Sequence, residues 1–448
     1  MSLKGKLAIV VFSAALAFYT IVGGFLSVQK DVFAKGDPYV QLRIFSEVLR
    51  HIVRDYVDEP DLEKVRVGAL RGLTEGLDPY SAYLTPEQAK KYQPARDDQT
   101  GTGMILSKVS GYLYVVAVLK GSPAEKVGFR AGDVIEYING FATRDISLYD
   151  AEEMLSGANG SDIEMKVFRR GRGYKAKIKR SNVAQPTVEA STPETGIGYL
   201  RVTSLADGKP EEIKKQLLDL QKKGVQKLVL DLRGAANGHI ETGVEVANLF
   251  IKTGTLAKTI GHNGAVANTF EADPNKVAFT GPLTLIVDKS TAGASEVIAA
   301  AVAANKRGEL VGERTFGAGA EQKLFQLKSG AALLLTVIKY ADPAGSPFIK
   351  ENPGVAATVE VKSSAANEDV LPEDDDQGAA DGQNQEENDP ALPVETPASE
   401  DLQLKKAVEL LKGSQSQEKR VAQNEASSSN VTISIPQHSR ALRAGGRL

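Results

Sequence analysis

The chain has 448 residues, with 54 lysines and arginines against 57 aspartates and glutamates, for a net charge of −3. That balance excludes a global field for nucleic acid, and 42% hydrophobic with 25% charged residues is an ordinary globular composition, long enough for two or three domains. Cysteine is absent, which excludes disulfides, a thiolate nucleophile and cysteine zinc sites; His51, His239, His262 and His438 lack metal-ligand spacing, so no metal or cofactor is expected.

Lys4 and Lys6 precede an uncharged apolar run from Leu7 to Leu26. Its length matches one bilayer crossing and exceeds a usual signal-peptide core. No small-x-small cleavage site follows, so residues 1–30 read as an uncleaved signal anchor. The lysines are then expected in the cytoplasm and the rest of the chain outside. The alternative is a cleaved signal peptide. Residues 37–97 read as a helical N-terminal domain, because Val40, Ile44, Val48, Leu49, Ile52, Val53 and Val57 recur at helical spacing. Within it, Leu77 to Thr85 (LDPYSAYLT) reads as a turn, followed by a capped helix start at Thr85-Pro86-Glu87.

Residues 98–182 read as a β-rich module. Gly101-Thr102-Gly103-Met104-Ile105 is a glycine loop entering a strand, and Tyr112 to Val118 is another strand. Gly121 to Gly128 turns into a short helix, and Ile138-Asn139-Gly140 carries a two-residue hairpin signal. A helix at Leu148 to Leu155 and strands at Ile163–Phe168 and Tyr174–Ile178 complete it. This order resembles a PDZ domain, most specifically in GSPAEKVGFRAGDVIEYING (121–140). The resemblance implies capture of a peptide C-terminus by strand addition, with Gly101, Thr102, Gly103 and Met104 on the carboxylate and Met104 to Lys108, including Ile105, as the accepting strand.

Residues 186–362 alternate strands with helices, which argues an α/β sheet. Strands are expected at Gly198–Val202, Lys227–Leu230, Leu283–Val287 and Leu333–Tyr340, and a helix at Glu211–Lys223. Residues 363–400 hold twelve acidic residues and no lysine or arginine, the composition of a disordered linker. An amphipathic helix is expected at 401–412 and a polar disordered tail at 413–448.

The stretch that organises the core runs from Asp288 to Gln322. An apolar strand, LTLIV (283–287), leads through Thr291-Ala292-Gly293 into a helix-forming run, EVIAAAVAANKR (296–307). Hydrolases place a nucleophile on such a strand-to-helix turn. Two motifs here resemble the carboxyl-terminal processing (tail-specific) serine peptidases. The family's nucleophile motif reads T-A-S-A-S-E, and 291–296 reads TAGASE. Its base motif reads G-E-x-T-[YF]-G-K-G-x-x-Q, and 312–322 reads GERTFGAGAEQ. The resemblance puts Gly293 at the nucleophile position and Ala318 at the position of the lysine base, with Gln322 retained. The family's D-L-R-x-N-P-G-G oxyanion loop reads Asp231-Leu232-Arg233-Gly234-Ala235-Ala236-Asn237-Gly238, with Asn237 in place of the first glycine and Gly238 kept. A late G-I-x-P-D pattern reads Gly354-Val355-Ala356-Ala357-Thr358. LDPYSAYL is similar to the segment ahead of the family's binding module.

The resemblance implies an α+β multidomain fold: N-terminal helices, a PDZ-like β-rich domain and an α/β core of the tail-specific peptidase (ClpP/crotonase-like) type. It also implies a bacterial inner-membrane protein with its bulk in the periplasm. The expected function is that of an inactive homologue binding peptide C-termini or protein partners, as a homo-oligomer or beside an active peptidase. The rival is a working endopeptidase with a rebuilt nucleophile, Ser290 with His239 as base. Ser295 lies about 200° around the helix from position 293 and is a poorer candidate. A third reading is an envelope component whose linker and tail are the working parts.

Overall fold

The computed structural model describes residues 38–92, 100–349, 353–363, 390–393 and 400–413. The anchor expected at 7–26, the tail from 414 and most of the acidic stretch lie outside the described residues. Among the described residues no helix is long and apolar enough to cross a membrane. The chain divides into two compact units, Met1–Ala69 and Leu70–Leu448. In the first, helix α1 (Pro38–Asp55) carries Ile44, Val48, Leu49 and Val53 exposed. Helix α2 (Leu62–Glu75) starts there, its first turn capped by Asp61, whose Oδ1 accepts the N–H groups of Glu63 and Lys64.

The stretch expected as a turn, Leu77 to Thr85, contains a strand. β1 (Ala82–Leu84) is buried on both faces and pairs antiparallel with Leu334, Leu333 and Ala332 of a late core strand. Three residues are too few for periodicity to reveal a strand, and tertiary pairing makes it one. Helix α3 (Pro86–Lys91) follows, with Thr85 and Gln88 forming a reciprocal capping box.

The β-rich module contains β2 (Thr100–Gly101), β3 (Met104–Val109), β4 (Tyr112–Val118), α4 (Pro123–Val127), β5 (Val134–Ile138), β6 (Phe141–Ala142), α5 (Leu148–Leu155), β7 (Asp162–Arg169), β8 (Arg172–Lys179) and β9 (Ser181–Asn182). Its sheet runs β3-β4-β5-β7-β8 with β6 on β5, and β2 pairs with β9 at its base. Inward residues of β7 and β8, Ile163, Met165, Val167, Ala176 and Ile178, alternate with polar ones, and join Leu113, Val115 and Ile135 in one core. Inside it Arg169 donates two hydrogen bonds, at 2.5 and 2.6 Å, to the fully buried Asp133.

The core has two sheets. One contains β10 (Glu189–Glu194), β11 (Ile197–Arg201), β12 (Lys227–Asp231), β15 (Leu283–Val287), β16 (Glu309–Gly312) and β19 (Val359–Glu360), in that order, parallel except at β10. Leu228, Leu230 and Leu285 face a cluster shared with α6 (Lys209–Lys222), α7 (Ile240–Asn248) and α8 (Ala294–Ala304). Val229, Ile286 and Val311 face the other way, onto Ala407, Val408 and Leu411 of helix α9 (residues 402–413). Each such leucine contributes about 1.5–3 kcal/mol by leaving water, so a strand buried on both faces has to be apolar throughout. The second sheet contains β1, β13 (Thr255–Ile260), β14 (Val266–Glu271), β17 (Ala320–Gln326) and β18 (Ala332–Ala341), ordered β1-β18-β13-β14 with β17 on β18. The molecule is an α+β multidomain protein.

The acidic stretch also departs from expectation. Residues 390–393 are not a free linker: Ala391 bridges Lys175 of β8, and Leu392 is buried in the core of the β-rich module. One apolar residue between two prolines supplies that contact, which a count of acidic residues hides.

Candidate active site

The turn between β15 and α8 is built from short hydrogen bonds. The Asp288 N–H donates to Thr291 Oγ1, and that hydroxyl donates to the Leu232 carbonyl, each at 3.1 Å. The Ala292 N–H donates to the Ala235 carbonyl at 3.0 Å. Ser295 is fully buried, and its hydroxyl donates to the carbonyls of Ala235 and Ala292 at 2.5 and 2.8 Å. These bonds lock the nucleophile turn to the 231–238 loop. Gly293 stands at the tip with φ 62° and ψ −117°. A Cβ built there meets nothing within 4 Å. The tip therefore has room for a side chain and a backbone that disfavours one.

Glu296, one turn into α8, joins the nucleophile and base positions. It is completely buried. Its Oε2 accepts the N–H groups of Gly293 at 2.9 Å and Ala318 at 2.8 Å. Its Oε1 accepts the Thr315 hydroxyl at 2.5 Å and the Gly317 N–H at 2.7 Å. Burial pushes its carboxyl up to about 7, against the pull of these four hydrogen bonds. The motif holds Glu296, but the residues alone assigned it no role. Its place three residues after the helix cap is the signal that finds it.

Ala318 thus lies beside Gly293, both backbones on one carboxylate oxygen. Gln322 is on β17 opposite Thr336, and its amide donates to the Thr336 hydroxyl at 3.5 Å. That hydroxyl donates to Asp78 Oδ1 at 3.1 Å. Asp78 also accepts the N–H groups of Tyr80 and Ser81, at 2.8 and 2.9 Å. Tyr80 in turn packs on the core of the β-rich module, its hydroxyl 3.4 Å from that of Ser107 on β3. The LDPYSAYL turn therefore connects the base motif to β3 through hydrogen bonds.

In the 231–238 loop, Asn237 Oδ1 accepts the Leu205 N–H at 2.9 Å and its amide donates to the Ser204 hydroxyl at 2.9 Å. Its side chain serves the loop. Gly238 has φ 97°, and a Cβ there would lie 2.2 Å from the Leu205 carbonyl oxygen, so only glycine fits. Ser290 donates to Asp288 at 2.5 Å and accepts the Gly234 N–H at 2.7 Å. His239 precedes α7, and no hydrogen bond links it to Ser290. Arg233 is held by Asp231 and by Asp401, just before α9, at 2.5 and 2.7 Å, a structural pairing.

The expected peptide-binding elements are the 101–104 loop and β3. Gly101 sits against the C-terminal end of α5, where its Cβ position is 3.6 Å from the Leu155 carbonyl. The carbonyls of Thr102 and Gly103 accept from Ala124 and Leu119, each at 2.9 Å, which fixes the loop. Met104 and Leu106 of β3 pack with Leu148, Ala151 and Leu155 of α5, while Ile105 is half-buried. On the sheet's outer face Tyr112, Tyr114 and Val116 pack against Ala236, Ala292, Phe316 and Ala318. The Tyr114 and Phe316 rings stack 5.8 Å apart. This face covers the paired nucleophile and base positions. Among the described residues no group of acids or histidines is placed to hold a metal ion.

Residues 196–361 match the family described as Peptidase family S41, and residues 114–169 match a PDZ domain. The chain is 34% identical over 332 residues to the carboxyl-terminal-processing protease of Picosynechococcus sp., covering 70% of this chain and 79% of that protein. It is 30% identical over 303 residues to the carboxy-terminal processing protease CtpA of Bacillus subtilis, covering 67% of this chain and 65% of that one, under two thirds of the relative's length. The solved structure of a photosystem II D1 C-terminal processing protease superposes with a TM-score of 0.60 at 28% identity, covering 71% of this chain and 92% of the other. Similarity of this extent, on motifs that meet at one turn, means that the chain belongs to the S41 family of carboxyl-terminal processing peptidases, with a PDZ domain.

Proposed function

We propose that this member binds without cutting: it holds peptide C-termini or protein partners through its PDZ domain and has lost hydrolysis. The observation that carries the reading is the pair Gly293 and Ala318. Acyl transfer needs a nucleophile and a proton acceptor, and glycine and alanine supply neither. The neighbouring hydroxyls do not replace them, since Ser295 is buried on two carbonyls and Ser290 is engaged by Asp288. Losing the nucleophile alone costs about 10⁶-fold in a serine hydrolase, and losing the base as well adds little. We further propose that residues 7–26 hold the chain in a bacterial inner membrane with its bulk in the periplasm. A mature N-terminus found between Asp31 and Lys35 overturns that placement.

Casein cleavage tests the main reading on three proteins: wild type, Ser290→Ala, and the double variant Gly293→Ser with Ala318→Lys. Wild type is expected to be inactive. The double variant regains activity only in part, because Ala235, Ala236 and Asn237 remain in the oxyanion loop. Wild-type cleavage that vanishes in Ser290→Ala establishes the rebuilt site instead.

A further inference from the structure

One edge of the PDZ sheet is occupied by another segment of the chain. Residues 390–393, Pro-Ala-Leu-Pro, lie along β8, at the opposite edge of the sheet from β3. Ala391 forms a parallel bridge with Lys175, and the Lys175 N–H donates to the Pro390 carbonyl at 2.9 Å. Leu392 is 6% exposed and belongs to the same hydrophobic cluster as Ile163 and Ile178. The Pro393 carbonyl accepts from Arg169 at 3.5 Å, and Asp133 fixes that guanidinium. Prolines are tolerated here because an edge addition needs few donors from the added strand.

Charge favours the same occupant. Arg170, Arg172, Lys175, Lys177 and Lys179 of the β7–β8 hairpin are all exposed. The stretch 363–400 that contains the segment has twelve acidic residues and no basic one. Its return to the core is short: the seven steps from Pro393 to Glu400 span at most about 25 Å. From there Asp401 pairs with Arg233 and α9 packs on the core sheet. A segment docked on β8 therefore ties the PDZ domain to the core.

We infer that the β8 edge is a second peptide-binding groove, separate from the carboxylate-capturing one at β3, and that residues 390–393 are its ligand in cis. Its ligand class is an internal, proline-flanked leucine within an acidic chain. No free C-terminus is required, because the groove holds the segment by a backbone bond and a buried leucine. The inference stands whether or not the protein cuts peptides.

Hydrogen exchange on the full-length chain reads the docking directly, since the Lys175 amide points at Pro390. Leu392→Asp should speed exchange of that amide about tenfold or more while leaving β3 amides unchanged. A C-terminally amidated peptide of residues 386–397, followed by fluorescence anisotropy, gives a second readout. It should bind the Leu392→Asp protein at least about tenfold more tightly than wild type, whose groove is filled, and weaken at high salt. The same peptide with aspartate at the leucine position should not bind. Unchanged Lys175 exchange in the variant, or equal peptide binding to both proteins, overturns the inference.

Discussion

Gly293 and Glu296 show how single residues shape the turn on which the family motif places its nucleophile. At φ 62° and ψ −117° any residue other than glycine stores about 1–3 kcal/mol of backbone strain. Glycine at 293 avoids that strain and carries no side chain. Glu296 still grips both loops through four hydrogen bonds. Its carboxyl titrates near 7 in the fold against an ordinary value of 4.5. Between those values the folded state holds a proton that the unfolded state has released. The stability from this group is therefore complete below about 4.5 and is lost as pH rises through about 7. Urea unfolding at pH 5 and pH 8 should show a smaller pH difference in Glu296→Gln than in wild type. The variant should also be less stable at both values, because an amide N–H₂ would face N–H donors, at a cost of about 1–3 kcal/mol. Equal pH differences in the two proteins would count against the shifted carboxyl.

At the scale of elements, β3 is the strand expected to accept a peptide, and the LDPYSAYL turn connects it to the core. The Gly101–Met104 loop is held by its own carbonyls on Ala124 and Leu119. If this loop is the carboxylate site, its preformed geometry keeps the ordering cost small. Peptides with a free, apolar C-terminal residue should therefore bind the full-length chain about tenfold or more tightly than their amides, the worth of a charge-assisted hydrogen bond. Titration of an acid and amide pair by calorimetry checks this, and equal affinities would remove the carboxylate from the account. Leu106→Asp, which puts a charge among Leu148, Ala151 and Leu155, should abolish binding of both forms.

For the whole molecule, the PDZ sheet lies over the place where chemistry would occur. Tyr112, Tyr114 and Val116 pack on Ala292 and on the partly buried Phe316 and Ala318, so a separation of the two domains would expose more of this surface. Destabilising that contact by about 1.4 kcal/mol shifts the open population about tenfold. In a chain revived by Gly293→Ser and Ala318→Lys, adding Tyr114→Asp should raise casein cleavage by about that factor. No rise would mean that the contact does not limit access.

The sequence by itself determined the order of strands and helices and the identity of the residues at the two motif positions, and the family resemblance added the fold class and the PDZ assignment. The first two follow from local signals: apolar strands, turn residues such as Asn139-Gly140, and fixed spacings within 291–296 and 312–322. Tertiary structure decided the rest, because the deciding contacts join residues far apart in the chain. Ala82–Leu84 became a strand through Ala332–Leu334, Gln322 met Asp78 through Thr336, and Leu392 found β8 from within an acidic stretch. Ser290 and His239 each adjoin a family motif in sequence, yet the fold gave Ser290 to Asp288. Periodicity and composition report which face of an element is apolar; they do not report which distant element covers it.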